Sequence, residues 1–213
     1  MSGLISFSLK TMRFIGLGSV VIALFGCGST QLTQVPDGQK NLEANYTYVI
    51  GPGDTMEVFV WGNEELTVSD VEVRPDGKIS TRLVENIEAS GKTPSQLARD
   101  IETAYSEYVK SAVVSVIVNE FIGVPSQQVR VVGEAAEPLK IPFRKHMTLL
   151  DLMVEVGGLT EYADGNKAVL VRNSGGAQSS YNIRLDDLLR DGDISANIAL
   201  SPGDIVIIPE AWF

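Results

Sequence analysis

One cysteine, one histidine and 27 acidic residues are what this 213-residue chain offers to chemistry. Neither a Cys₄ nor a Cys₂His₂ zinc site can be assembled from them, nor can an intrachain disulfide. Cys27 and His146 make a nucleophilic pair arithmetically available, but Cys27 closes an apolar run instead of lying in a folded element. His146 has no second His or Cys as co-ligand. It ends the basic stretch Arg144-Lys145-His146, which reads as a solvated loop, with a grip on an acidic glycan or partner as the functional alternative. There is no phosphate loop and no Gly-x-Ser-x-Gly elbow. So many acids always allow a carboxylate pair of the glycosidase kind, yet nothing selects one. Asp186-Asp187 read as helix-start residues that cap and oppose the helix dipole. Asp54 and Asp204 each close a Pro-Gly-Asp turn, in Gly51-Pro52-Gly53-Asp54 and Pro202-Gly203-Asp204. Pro presets φ, Gly accepts φ > 0, and the Asp can accept backbone N–H bonds as the next strand opens. These seven residues therefore read as structural turn motifs. No catalytic residue, metal or cofactor is expected.

The cysteine has a different use. Residues 1–13 carry Lys10 and Arg13 and no acid, and thirteen uncharged residues, Phe14 to Gly26, follow. That run is shorter than the ~20 residues of a membrane-spanning helix. A basic start, a short apolar stretch and a small final residue describe a secretory signal peptide. Leu24-Phe25-Gly26-Cys27 then resembles a bacterial lipobox. This implies a signal peptide over 1–26 and lipid attachment at Cys27. Residues 27–45, polar and with Pro and Gly, read as a solvated lipidated tether.

The folded part must position everything else. A net charge of −10 repels phosphate backbones and argues against nucleic-acid partners. Alternation at 56–61 predicts a strand, and Trp61 on it reads as core, with sugar stacking as the alternative. Residues 71–74 and 79–81 flank the turn Pro75-Asp76-Gly77-Lys78 and predict a hairpin. Thr93-Pro94 with Gln96 is a capping box opening a helix whose apolar stripe runs Leu97, Ile101, Ala104, Tyr105, Tyr108. The β-branched run 112–118 predicts a central strand. Further on, strands at 129–132 and 139–141, a helix capped by Thr148 and ended by Gly157-Gly158, strands at 168–171 and 181–183, a helical turn from Leu185, and a last strand at 205–208 follow the element order of a β-grasp domain. The fold class expected is α+β.

These residues resemble a family. Tyr48 to Asp54, Val58 to Trp61 and Val73 to Ile79, continued by Thr93-Pro94 and the 112–118 strand, resemble the polysaccharide export domain of Wza-like outer-membrane export lipoproteins. Val131-Val132-Gly133-Glu134, Leu149 to Gly158 and Leu200 to Asp204 resemble the soluble-ligand-binding β-grasp (SLBB) domain that accompanies it. Arg82 stands where relatives often have Pro. The ending Ile208 to Phe213 is similar to the exosortase-associated branch. The resemblance implies an α/β export module over 46–122 and one β-grasp, ubiquitin-like module over 127–210. It implies a non-enzymatic part of a capsule or exopolysaccharide export machine: a homo-oligomeric periplasmic ring at the outer membrane through which polysaccharide passes. An inner-membrane chain-length regulator with tyrosine-kinase activity is the expected partner. Larger members continue into an amphipathic pore helix. Here the chain stops five residues after Ile208, so a separate outer-membrane barrel protein is expected to supply the hole. A monomeric carbohydrate-binding or assembly adaptor is the alternative, and a periplasmic glycan hydrolase a third reading. The terminal Trp212 and Phe213 either pack on their own domain or dock on a partner.

Gly28 follows Cys27, so the Asp that retains enterobacterial lipoproteins at the inner membrane is missing, and an outer-membrane, periplasm-facing anchor is expected. Cys27→Ser should leave the protein uncleaved or released and lower export. Fractionation and export like wild type would refute the lipid anchor.

Overall fold

A computed structural model describes residues 33–35, 46–174 and 176–212 of the chain. The signal peptide, Cys27, the other tether residues, Gly175 and Phe213 lie outside the described residues.

The tether reading fails at one place. Strand β1 (Thr33–Gln34) pairs in parallel with a strand of the second module, Thr33 opposite Tyr181, and Val35 is 5% exposed in that module's core. A sheet edge carries unpaired N–H and C=O groups, and an extended segment satisfies them whatever its polarity. Composition reports only the polarity.

Strand β2 (Thr55–Val60) alternates strictly, with Met56, Val58 and Val60 buried. It lies between β3 (Val68–Glu72) and β6 (Val114–Glu120) in an antiparallel three-stranded sheet. Trp61 has the parity of Glu57 and Phe59, which places it outward. It is 71% exposed and touches Phe59 edge-on, which corrects its reading as core. The turn at Pro75-Asp76-Gly77-Lys78 closes as expected, with Gly77 at φ +81° and its N–H donating to the Arg74 carbonyl. No hairpin ladder follows it: β3 pairs with β2, whereas β4 (Lys78–Ile79) pairs with β5 (Ile87–Glu88).

Helix α1 (Pro94–Tyr105) starts at the Thr93–Gln96 capping box, with both reciprocal bonds formed. Leu97, Ala98, Ile101 and Tyr105 are buried against the three-stranded sheet; Tyr108 lies beyond the helix and is exposed, a correction to the stripe. The helix is tied to β6 at Val114, whose N–H donates to Glu102 and whose carbonyl accepts from Arg99. β6 is an edge strand, not a central one. Its β-branched run promotes extension on both faces, but only the Val114–Val116–Val118 side turns toward the core; Val113 and Ile117 remain exposed.

The second module begins with the antiparallel pair β7 (Gln128–Gly133) and β8 (Lys140–Pro142). Helix α2 (Leu149–Glu155) has a Thr148–Asp151 capping box and stops at Gly157 and Gly158, both at positive φ. The antiparallel pair β9 (Ala168–Ser174) and β10 (Ala177–Ile183), the short helix α3 (Leu185–Leu189) and β11 (Ile205–Ile208) complete it. β11 inserts in the middle, parallel to β7 and antiparallel to β9, giving the sheet order β1-β10-β9-β11-β7-β8. Without β1 this is the β-grasp arrangement. Leu149, Leu152 and Met153 of α2 fill its core against Val131, Leu170 and Val206. Asp186 and Asp187 do not cap α3. Both their backbone N–H groups donate to the Asn166 side chain, while their carboxylates pair with Arg190 and Arg184.

Val35→Asp would place a charge in that core, so β1 should undock instead. Faster hydrogen exchange at Tyr181 and Asn182, with a lowered thermal midpoint, is the expected result; unchanged exchange would mean that β1 contributes nothing to the sheet.

Candidate functional site

The two Pro-Gly-Asp turns have the same backbone and different partners. In both, Gly holds positive φ, +89° at Gly53 and +84° at Gly203, and the Asp side chain accepts the N–H three residues earlier, from Gly51 and Ser201. Asp204 then meets Arg172, whose Nε and Nη2 donate at 3.0 and 2.6 Å; both side chains are buried. Burial pushes the Asp204 carboxyl up, and Arg172 pulls against that shift. Arg172 also donates to the Ala199 carbonyl, which ties β9 to the chain entering β11.

Among the described residues Asp54 has no cation beside it. Its carboxylate, fully buried, accepts four hydrogen bonds: Tyr48 Oη at 2.5 Å, Gly51 N at 2.8 Å, Ile122 N at 2.7 Å and Gly123 N at 2.8 Å. Such neutral donors can stabilise a buried carboxylate as well as an ion pair does. Burial, then the bond to Asp54, raises the Tyr48 hydroxyl far above its ordinary value, so it remains a donor at every physiological pH. Burial also raises Tyr46, with the Asp54 charge adding to the effect.

Ile122 and Gly123 begin the connection between the modules, so Asp54 grips the linker. Other contacts hold the same segment. Gln127 accepts from Val49 N and donates to the Thr47 carbonyl; Gln128 donates to the Ile122 carbonyl. Gly51 packs directly on Gly123, where a Cβ would stand 2.2 Å from the Gly123 carbonyl carbon. Across the linker, Gly203 faces the Ser126 carbonyl, 3.0 Å from where its Cβ would lie. Both turns thus abut the residues that join the modules.

Beside this latch lies a cleft of about 530 Å³. Tyr46, Tyr48 and Phe121 line it from the first module, and Pro142, Phe143, Arg144 and Lys145 from the second. Tyr46 meets Phe143 edge-on at 5.0 Å, and Tyr48 meets Phe121 edge-on at 5.2 Å. Phe121 is 52% exposed. A second hollow of about 550 Å³ runs over Pro125, Arg130, Asn173, Gln178 and Gly203, beside the outer face of the β-grasp sheet.

Family models match both halves of the chain: polysaccharide biosynthesis/export protein over 42–119 and SLBB domain over 127–208, together about three-quarters of its length. The chain belongs to the Wza-like polysaccharide export proteins. In this export protein the latch residue Asp54 lies in the export domain, and the linker it holds leads into the SLBB domain.

Several residues singled out from the sequence lie away from these features. Cys27 is outside the described residues. His146 is exposed at φ +66° in the loop before α2, and Trp212 is exposed at the chain end. Among the described residues no three His, Cys, Asp or Glu side chains converge as metal ligands. Sequence reasoning missed Arg172, Gln127 and the aromatic wall. Arg172 had a usable signal, because it shares the inward parity of Ala168 and Leu170. The aromatics come from three distant stretches, and only folding brings them together.

Asp54→Ala should strand the N–H groups of Gly51, Ile122 and Gly123, each buried donor left unpaired costing about 1–3 kcal/mol. Tyr48→Phe removes one bond to a charged acceptor and should cost about 1.5–3 kcal/mol. Gly53→Val and Gly203→Val, forced to positive φ, should each cost about 1–3 kcal/mol. Denaturant midpoints measure all four. A stable Gly53→Val protein that has lost export would mark that turn as a functional contact instead.

Proposed function

We propose that this chain is a non-enzymatic, lipid-anchored component of a capsule or exopolysaccharide export machine. It forms a homo-oligomeric periplasmic ring at the outer membrane, through which the polysaccharide passes. Membership of the export family supports the general role. The observation that carries the ring is that each module exposes large apolar side chains on one sheet face. On the first, Phe59, Trp61, Val113 and Ile117 share the outward parity of β2 and β6. On the second, Val132 and Ile207 are register partners and both exposed. Exposed apolar side chains grouped on a sheet face suit an interaction site. Two different faces on one chain suit a head-to-tail contact, which closes into a ring when the rotation between copies permits.

An inner-membrane chain-length regulator with tyrosine-kinase activity and an outer-membrane barrel protein are the partners we propose. Among the described residues no helix is long and apolar enough to cross a membrane. The described strands run from two to seven residues, short of the about 9–11 of a membrane strand. A collar that lines the periplasmic path, joined to a separate outer-membrane hole, fits those lengths.

Size measurement on the detergent-solubilised lipoprotein should give a closed assembly of several copies, and Trp61→Glu or Ile207→Glu should reduce it to folded monomer. A wild-type monomer at high concentration would favour the adaptor reading, and turnover of the cognate polysaccharide would favour a hydrolase. Planar-bilayer recordings with this chain alone should show no stable conductance.

A further inference from the structure

The geometry points to the cleft between the export and SLBB domains as a binding subsite for an acidic stretch of glycan: a sugar ring stacked on Phe121 with its carboxylate at Lys145. This rests on the export reading and gives it a contact point and a charge class. The lining is aromatic and the rim cationic, a combination suited to a pyranose, which has an apolar C–H face and a polar edge. Phe121 is the last large aromatic before the latch, half exposed, and held edge-on against Tyr48, whose hydroxyl is fixed by Asp54. Its orientation is therefore set before any ligand arrives, which lowers the ordering cost of binding. The volume is within the range of small-molecule sites.

The charge assignment comes from the surrounding carboxylates. Asp54 is sealed by its four hydrogen bonds, and Glu155 is taken by Arg144. Asp151 is engaged in the α2 capping box. Lys145 has no carboxylate partner among the described residues and is exposed at the rim. On a chain of net charge −10 this is a local positive edge beside an aromatic floor, and it complements a uronate better than a neutral sugar.

Titration calorimetry of the detergent-solubilised full chain with tetragalacturonate, and with maltotetraose as the neutral probe, tests the assignment. Tetragalacturonate should bind saturably and more weakly as salt is raised. Phe121→Ala and Lys145→Ala should each weaken it about tenfold, Lys145→Arg should retain it, and Lys167→Ala, a lysine outside the cleft, should change nothing. No saturable binding of tetragalacturonate, equal binding of maltotetraose, or indifference to both cleft variants would overturn the subsite. Extracellular polysaccharide measured in cells separates the two readings. Lost export on deletion of the chain, combined with a cleft that fails to bind, discards the subsite and keeps the export role. Normal export on deletion discards the export role, and the subsite with it.

Discussion

A buried carboxylate held by neutral donors is the constraint around which the rest of this protein is arranged. Asp54 is stable in the interior because Tyr48, Gly51, Ile122 and Gly123 all donate to it. Each donor must therefore be brought to within hydrogen-bond distance of one side chain, from two stretches nearly seventy positions apart in sequence. That requirement places the end of β6 against the start of the export domain and sets the direction in which the chain leaves for the second module. The Gly51–Gly123 contact follows from the same demand: a Cβ on Gly51 would collide with the Gly123 backbone, and Gly123 itself holds φ +70°, which favours glycine. The cleft is a by-product: once the linker is drawn down onto Asp54, Phe121 and Tyr48 stand together, and the β7–β8 hairpin brings Phe143 against Tyr46.

The Asp204 turn solves the same electrostatic problem differently. There the carboxylate is matched by a buried guanidinium, and the result is a tie within one domain. A shared Pro-Gly-Asp motif thus specifies a backbone shape, and the partner that the carboxylate finds decides its larger role. One turn joins a strand to its own sheet; the other joins two domains.

This is also where reading the sequence stops. The α+β class, the α1 capping box, the Thr148 cap of α2, the glycine stop after α2 and the β-grasp element order were legible because each rests on residues within a few positions of one another. The turn geometry at Gly53 and Gly203 was legible for the same reason. What could not be read were the long-range choices: whether the 71–81 turn leads into one sheet or two, whether a β-branched run lies at the centre or the edge, and which distant donors reach Asp54. Trp61 is a milder case. Its parity with Glu57 was available, and composition alone suggested burial. The candidate cleft was the least legible part, because Tyr46, Phe121 and Phe143 have no local pattern in common.

The docking of β1 on β10 bears on the order of folding. Thr33 is paired with Tyr181, and Val35 is packed in a core that includes Ile208. This early segment therefore has no complete partner until the chain as far as β11 is available to fold. Without β1 the outer edge of β10 would be open to pairing with other chains. Residues from the start of the chain thus guard the outer edge of a sheet built from its far end.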